Sequence, residues 1–145
     1  MADSAGAVAA WEALFRAQVG IMRRLAADFP TQQMSFNEYD VLFNISRQPD
    51  RRIRLRNLNQ HVLLTQPSVS RLIDRLAAKG YVCKLPDPGD GRGTIVAMTD
   101  DGLTAFRQVA FQHVESIDRH LGGALDAEEL EELRGLCEKL QQGLT

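Results

Sequence analysis

The sequence predicts a mainly α-helical protein of the α+β class with one small β-hairpin. Apolar residues recur at spacings of three and four along most of the chain, which is typical of amphipathic helices. Two short segments, residues 81–85 and 94–99, are instead rich in β-branched and aromatic residues, and the turn formers of residues 86–93 separate them. With 145 residues, 44% of them hydrophobic, the chain has the size and composition of a single domain, residues 1–145.

Two helices are predicted in the first third of the chain. The apolar stripe of the first ends at Phe29, and Pro30 stops the helix because the residue before a proline avoids the helical conformation. The second begins at Ser35, three residues before Glu38, in the pattern of a capping box. Its apolar face predicts the central core helix of the domain.

Two short helices joined by a tight turn are predicted next. The first spans residues 55–62 and ends at the turn. Thr65 is a candidate N-cap of the second helix, and Pro67 suits its first turn because the amide that proline lacks has no helical partner there. Gly80 stands at the usual position for a helix C-terminus. The predicted hairpin follows directly, with a long, flexible tip at residues 86–93.

Two helices complete the chain. One is predicted to start near Thr99, and its apolar residues from Leu103 to Leu121 alternate spacings of three and four, as in a coiled-coil seam. The last begins with a second capping box, formed by Asp126 and Glu129. These apolar residues serve either an intramolecular core or an interface with a second copy of the chain.

The helices at both ends carry more apolar residues than one small domain can bury. We therefore predict that residues 1–33 and 100–145 form dimerisation helices. Residues 35–99 then form a separate lobe that contains the paired short helices and the hairpin. Two-fold symmetry would place the two copies of this lobe in equivalent positions.

Basic residues concentrate in the middle of the chain. The segment 51–92 holds nine Lys and Arg residues against three Asp, a local balance of +6, which leaves −8 for the remainder of a chain whose net charge is −2. One basic face on an otherwise acidic protein suits contact with phosphate groups. A basic surface that only faces solvent is the alternative.

The order of the predicted elements is that of a winged helix-turn-helix. The second of two such short helices fits the DNA major groove, which is about 12 Å wide, and the hairpin after it forms a wing. Hydroxyl, amide and guanidinium groups on that helix can contact phosphates and base edges, although they also serve as helix caps or polar surface. The candidate DNA-contacting residues are Thr65, Gln66, Pro67, Ser68, Ser70, Arg71, Arg75, Asp90, Arg92 and Arg54.

Three segments resemble the multiple antibiotic resistance regulator (MarR) family of transcriptional regulators, and the resemblance extends over nearly the whole chain. They read Leu-Leu-Thr-Gln-Pro-Ser-Val-Ser-Arg-Leu-Ile-Asp-Arg-Leu at residues 63–76, Asp-Gly-Arg-Gly at 90–93 and Thr-Asp-Asp-Gly at 99–102. The resemblance implies that the first segment contains the recognition helix and that Arg92 of the wing enters the minor groove. It also implies a homodimeric, ligand-responsive repressor that binds a pseudo-palindromic operator in double-stranded DNA.

The same resemblance implies a ligand cavity between the dimerisation helices and the DNA-binding lobe, with a small aromatic anion as the inducer. Arg54 or Arg47 would supply the counter-charge. Ordinary core packing is the alternative use of the aromatic residues that would line such a cavity. The candidate lining residues are Trp11, Phe15, Tyr39 and Phe43.

Several charged residues have two interpretations. Asp74 is expected to pair with a neighbouring arginine, and Asp90 to orient the hairpin through its backbone or through an arginine. The basic residues that either contact phosphate groups or form salt bridges are Arg54, Arg56, Arg75 and Lys79.

No metal site, cofactor or catalytic centre is predicted. His113 and His120 share a helix face, but the sequence has no ligand cluster around them. Cys83 is expected to be a small buried residue, with oxidation-coupled DNA release as the alternative. We do not expect an enzyme, because the sequence has no glycine-rich phosphate loop, nucleophile elbow or suitably spaced pair of carboxylates. A winged-helix adaptor that binds protein is the alternative to DNA binding, although it would need neither the basic segment nor the wing.

The sequence predicts no contact with a membrane. No apolar run approaches the roughly 20 residues that span a bilayer, and the first residues lack the pattern of a secretory signal. The two cysteines, Cys83 and Cys137, are far apart and do not indicate a disulfide framework. We therefore expect a cytoplasmic protein with reduced thiols.

Overall fold

A computed structural model describes residues 4–60, 62 and 66–145, so the predicted capping role of Thr65 lies outside the described residues. The chain divides into two compact units, Met1–Phe29 with His113–Thr145, and Pro30–Gln112. The elements in chain order are α1 (Ser4–Asp28), α2 (Phe36–Ser46), a 3₁₀ turn (Pro49–Arg51), β1 (Arg52–Arg54), α3 (Leu55–Leu58), α4 (Gln66–Ala78), β2 (Val82–Asp87), β3 (Asp90–Met98), α5 (Asp100–Ile117), a π-helical turn (Asp118–Gly122) and α6 (Ala127–Gln142).

These elements confirm the predicted fold class, which is mainly helical with a small antiparallel sheet. The sheet has three strands in the order β1-β3-β2, so the hairpin gains one strand that the sequence did not predict. That strand, β1, is only three residues long and buries Ile53 between two exposed arginines. A segment this short carries too little alternation to be recognised. No helix within the described residues is long and apolar enough to cross a membrane.

The predicted long, flexible tip of the hairpin is wrong. Strands β2 and β3 continue through the turn-forming residues, and only Pro88 and Gly89 connect them. Strand pairing reaches Asp87 and Asp90, with an irregularity in the ladder between Pro86 and Asp87. Proline is tolerated there because β2 is an edge strand of the sheet, where a ladder hydrogen bond is not required on the outer side.

The core of the unit Pro30–Gln112 lies among α2, α3, α4 and the sheet. The capping box predicted for α2 is present, since the Glu38 amide donates to the Ser35 hydroxyl at 3.1 Å and the Ser35 amide donates to Glu38 Oε1 at 2.9 Å. The largest fully buried side chains of the core are Met34, Leu42, Ile45, Leu58, Ile73, Leu76, Val41, Val69 and Val96.

An ion pair between the buried Glu38 and the exposed Lys79 joins the start of α2 to the end of α4. Lys79 Nζ donates to both carboxylate oxygens of Glu38, at 3.2 and 3.1 Å, and to the Gln33 carbonyl at 3.1 Å. Burial raises the pKa of the Glu38 carboxyl, but hydrogen bonds from Ser35 and Lys79 lower it by more, and the net pKa lies below the ordinary 4.5. The ionised form of Glu38 therefore stabilises this unit.

The end of α4 sets the position where the wing begins. Gly80 has a φ of +79°, and the helix closes in a Schellman motif, with the Gly80 amide donating to the Ala77 carbonyl at 3.0 Å and the Tyr81 amide to the Leu76 carbonyl at 2.9 Å. Thr99, which follows the last residue of β3, bonds the same helix end. Its hydroxyl donates to the Gly80 carbonyl at 2.6 Å, and its amide donates to the Tyr81 carbonyl at 3.0 Å.

The first turn of α5 packs directly on this junction. The Gly102 amide donates to the Thr99 hydroxyl at 3.0 Å, and a Cβ at position 102 would lie 2.1 Å from the Tyr81 carbonyl oxygen. No flexible side chain is available to move, because the obstacle is backbone. The Thr-Asp-Asp-Gly segment therefore needs a glycine at its fourth position.

The other unit contains α1, the end of α5 and α6. Near the end of α1, the Asp28 carboxylate accepts hydrogen bonds from Ser116, Arg119 and His120, and the pKa of Asp28 is lowered by the bonds from His120 and Ser116 and by the charges of His120 and Arg119. Asp126 and Glu129 form the predicted capping box of α6. Large apolar side chains remain exposed on both helices, namely Val8, Trp11, Leu14, Phe15 and Met22 on α1 and Leu133, Leu136 and Leu140 on α6.

We predict that Gly102→Ala destabilises the protein by about 1–3 kcal/mol, the usual cost of forcing an extra methyl group into a packed site. Urea denaturation at one fixed protein concentration measures the effect. The control is Gly135→Ala in the middle of α6, where a Cβ meets nothing within 4 Å and alanine should stabilise the helix by about 0.5–1 kcal/mol. Equal stability of Gly102→Ala and wild type would contradict the packing described above.

We also predict that Glu38→Gln loses about 2 kcal/mol of stability at neutral pH, because a glutamine keeps the capping bond but loses the charged contacts with Lys79. Since folding lowers the pKa of Glu38, its contribution is present above pH 4.5 and disappears as the pH falls through the native pKa. The difference between the two unfolding free energies should therefore shrink below pH 4.5. Glu132→Gln, at an exposed position of α6, is the control and should follow the wild type throughout.

Candidate nucleic-acid interface

Helix α4 presents one polar face. Its apolar residues Val69, Leu72, Ile73 and Leu76 are buried in the unit, which leaves the positions between them on the surface. Of the predicted DNA-contacting residues, Pro67, Arg71 and Arg75 are exposed and Ser68 and Ser70 are partly exposed. Gln66 is the first residue of the helix. The structure therefore brings Pro67, Ser68, Ser70, Arg71 and Arg75 to one face of α4.

The wing places Arg92 at an exposed position near the start of β3. The Arg92 amide donates to Asp90 Oδ1 at 3.1 Å, while Asp90 Oδ2 lies 3.8 Å from Arg56 Nη1. Asp90 thus contacts both the hairpin backbone and an arginine, the two roles considered for it from the sequence. The backbone that carries Arg92 is held in place while its side chain remains exposed.

Ion pairs separate the basic residues of this lobe into two groups. Lys79 pairs with Glu38, Arg54 Nε lies 2.8 Å from Asp87 Oδ2, and Arg56 approaches Asp90 more loosely. For Lys79, Arg54 and Arg56 the sequence left open either a phosphate contact or a salt bridge, and the structure shows salt bridges. Within the part of the chain that the structure describes, no ion pair involves Arg71, Arg75 or Arg92. Their charges are available to an external anion.

The predicted arginine partner of Asp74 is wrong, because Asp74 pairs with Lys84. Asp74 lies on the exposed face of α4, and Lys84 lies on the exposed face of the edge strand β2, which packs beside that helix. The sequence places these two residues ten positions apart with a helix end between them, so their contact depends on how α4 and β2 pack. The pair links α4 to the wing.

A pocket of about 210 Å³ lies between the start of α3 and the wing. Its charged lining consists of three arginines, Arg54, Arg56 and Arg92, and two carboxylates, Asp87 and Asp90. Guanidinium groups around a cleft of this size offer hydrogen bonds to a phosphate or carboxylate group. Asp87, which the sequence placed in a flexible turn, is buried here and was missed as a site residue. Its Asp-Pro-Gly context was the available signal, because Asp side chains bond backbone amides two residues ahead.

The candidate ligand-binding residues fall in both units. In the first unit, the rings of Trp11 and Phe15 contact each other at 5.7 Å, and both side chains are exposed. In the second, Tyr39 is buried and stacks on Phe106 at 5.0 Å, a contact that the sequence did not predict. The predicted ligand role of these residues stays a prediction.

The two candidate counter-charges for the ligand are engaged elsewhere within the second unit. The Arg47 guanidinium lies 4.8 Å from the centre of the Phe43 ring, which is a cation–π distance, and the Arg54 guanidinium is held by Asp87.

The expectation that Cys83 is buried is wrong, because its side chain is exposed. Successive residues of a strand point to opposite faces, and Val82, its neighbour on β2, takes the buried side. His120 bonds Asp28, and His113 packs edge-on against Phe29 at 5.5 Å, where burial lowers its pKa below 6.5. Among the described residues, no three His, Cys, Asp or Glu side chains lie close enough together to hold a metal ion.

Comparisons with known proteins agree with this geometry. Residues 32–93, which contain α2, α3, α4 and most of the wing, match the sequence profile of the MarR family. The chain is 26% identical to the HTH-type transcriptional regulator PecS of Dickeya dadantii over 132 residues, which cover 90% of this chain and 79% of PecS. It is 33% identical to the multiple antibiotic resistance protein MarR of Salmonella typhimurium over 73 residues, about half of each protein.

Two solved structures have the same fold. Sco3205 of Streptomyces coelicolor, a MarR family transcriptional regulator solved in complex with DNA, superposes with a TM-score of 0.81 at 23% identity, covering 100% of this chain and 91% of that one. The PcaV transcriptional regulator of the same organism, solved with its natural ligand, gives a TM-score of 0.72 at 22% identity, covering 91% of this chain and 92% of that one. Over residues 32–93 this chain is therefore similar in sequence to the MarR family, and it shares the fold of MarR family transcriptional regulators.

Proposed function

We propose that this protein is a homodimeric transcriptional repressor that binds a pseudo-palindromic operator and releases it when a small ligand binds. The observation that carries this proposal is the combination of α4 and the wing. Arg71 and Arg75 on the exposed face of α4 and Arg92 on the wing are cations that form no ion pair with a described carboxylate. A helix bearing hydroxyls and arginines suits the major groove, and an exposed arginine on a hairpin suits the minor groove.

The proposed dimer rests on the apolar side chains that α1 and α6 leave exposed. Trp11 and Leu136 are 60% and 63% exposed, and other large apolar residues lie near them in the sequence of each helix. Contiguous apolar surface of this kind marks an interface with another chain, and two-fold symmetry is the commonest arrangement for such an interface. A symmetric dimer would present two recognition helices about 10 base pairs apart.

The proposed control by a ligand rests on the similarity to the MarR family. PcaV was solved with its natural ligand, and for this chain we propose a small aromatic anion bound near Trp11, Phe15, Tyr39 and Phe43. Binding would change the separation of the two recognition helices, so that both no longer fit successive grooves. Because the target is chromosomal DNA, we place this activity in the cytoplasm.

The proposed function is tested by selecting genomic fragments that the purified protein binds. The enriched site is then titrated against scrambled DNA at several salt concentrations. We expect one inverted repeat, bound at least about a thousandfold tighter than scrambled DNA. Absence of enrichment, or weak binding that is indifferent to sequence, would overturn the proposal in favour of a protein-binding adaptor.

Replacement of the wing arginine gives a sharper prediction. Arg92→Ala should weaken operator binding by about 1–3 kcal/mol, the size of one lost base-edge contact, and should remove sequence preference at the positions beneath the wing. Arg107→Ala is the matched control, since Arg107 is exposed in the same unit but lies on α5. Fluorescence anisotropy with the selected operator measures both. Operator affinity equal to wild type in Arg92→Ala would remove the wing from the mechanism.

The ion pairs also predict which residues set the salt dependence. Arg75→Ala should lower the slope of log K against log salt by about one unit, because a free guanidinium on α4 would contact a phosphate. Lys79→Gln should leave the slope unchanged, because Glu38 already neutralises that ammonium group and the glutamine amide retains a donor. Equal slopes in the two variants would show that the ion pairs do not divide the basic residues as described.

A further inference from the structure

We propose that Asp87 is a positioning residue of the wing, which acts by holding Arg54 and thereby fixes Arg92 relative to the recognition helix. The inference rests on the proposed function and deepens it. It also gives Arg54, a candidate DNA contact from the sequence, a different role. We refer to the Asp87–Arg54 ion pair as the wing anchor.

The Asp87 carboxylate is buried, and each of its oxygens accepts from one protein donor. Its side chain is only 2% exposed, Oδ2 accepts from Arg54 Nε at 2.8 Å, and Oδ1 accepts from the Gly89 amide at 2.9 Å. An ionised carboxylate is costly to bury unless it is paired and hydrogen-bonded. A carboxylate that has lost its water and has two protein donors is held in one geometry, unlike the partly exposed Asp90 and Arg56.

The wing anchor joins the tip of the hairpin to the start of the helix-turn-helix. Asp87 is the last residue of β2, where the hairpin turns. Arg54 is the last residue of β1 and the residue that precedes α3, and its side chain makes no capping bond to that helix. The ion pair therefore fixes the position of the wing tip relative to α3, the helix that precedes α4.

The wing anchor joins β1 to β2, which lie on opposite sides of β3, so its side chains must pass over β3. A glycine in β3 leaves room for them. Strands β1 and β2 both pair with β3, with Arg54 opposite Ile95. At Gly93, a Cβ would lie 3.1 Å from Asp87 Cβ and 3.2 Å from Asp87 Oδ2. A side chain at this position would press on the carboxylate. Glycine here, directly after Arg92, lets the wing anchor pack against β3.

The wing needs such a link because an isolated two-stranded hairpin is marginally stable. Strand β1 pairs only with residues 95–97 of β3, so the segment that carries Arg92 lacks a strand on that side. The wing anchor supplies a side-chain restraint where the backbone pairing ends. An arginine whose position is already restricted loses less entropy when it enters a groove.

The direction in which DNA affinity changes when Asp87 is replaced distinguishes a positioning role from a purely electrostatic one. Asp87 is an acidic residue beside the proposed DNA surface, so removing its charge would strengthen phosphate contacts if charge were its only influence. If Asp87 positions Arg92, its removal weakens binding instead. The two possibilities predict changes of opposite direction in the same measurement.

The test compares Asp87→Asn with Asp101→Asn by anisotropy titration of the full-length protein with the selected operator and with scrambled DNA. Asp101 is exposed at the start of α5, so both variants lose one negative charge from the same unit. We expect Asp87→Asn to bind the operator about tenfold more weakly, equivalent to about 1.4 kcal/mol, and scrambled DNA no more weakly than wild type does. Asp101→Asn should bind both at least as tightly as wild type.

The same substitution is then made in Arg92→Ala. If Asp87 acts through Arg92, Asp87→Asn should cause no further loss in that background. A second tenfold loss would show general damage to the lobe and would overturn the inference. So would an Asp87→Asn single variant that binds the operator as tightly as wild type or more tightly.

A second pair of variants leaves every charge in place. Gly93→Ala crowds the wing anchor, whereas Gly91→Ala adds the same methyl group on the other side of Arg92, where nothing lies within 4 Å. We expect weaker operator binding only for Gly93→Ala, and equal binding by the two variants would count against the wing anchor. Failure of the wild type to select any operator is a different result, because it overturns the proposed function itself.

Discussion

The geometry of the unit Pro30–Gln112 depends on the hydrogen bonds that Thr99 makes where three elements meet. Its hydroxyl and amide bond the carbonyls of Gly80 and Tyr81, and the same hydroxyl accepts the Gly102 amide. The end of α4, the base of the wing and the start of α5 are therefore held at one point. A shift of any of them would move the recognition helix relative to the wing.

Ion pairs within this unit determine which basic residues are available to DNA. Acidic residues inside the lobe neutralise some cations, as Glu38 does for Lys79 and Asp87 for Arg54. Arg71, Arg75 and Arg92 form no ion pair within the described residues, and they lie on α4 and on the wing, the two elements that fit DNA grooves. A net charge of −2 is thus compatible with DNA binding, because Arg71, Arg75 and Arg92 lie within the basic segment 51–92 and form no ion pair within the described residues.

Local patterns in the sequence predicted the helices well and the wing less well. The capping box at Ser35 and Glu38 and the helix end at Gly80 depend on residues a few positions apart, so their chemistry is visible in the sequence. The tip of the hairpin depends on pairing between strands. Proline, aspartate and glycine favour turns in isolation, yet here they extend β2 and β3 because the strands and the buried Asp87 carboxylate hold them.

The sequence alone determined the order of the longer helices and the hairpin, the capped starts of α2 and α6, the end of α4 at Gly80 and the segments that resemble the MarR family, because each depends on residues close together in the chain. Only the tertiary structure decided which charged groups pair. Asp74 pairs with Lys84 rather than an arginine, Arg54 pairs with Asp87, and Cys83 faces outward. These outcomes depend on how helices and strands pack, and contacts between side chains distant in sequence form only after the chain has folded.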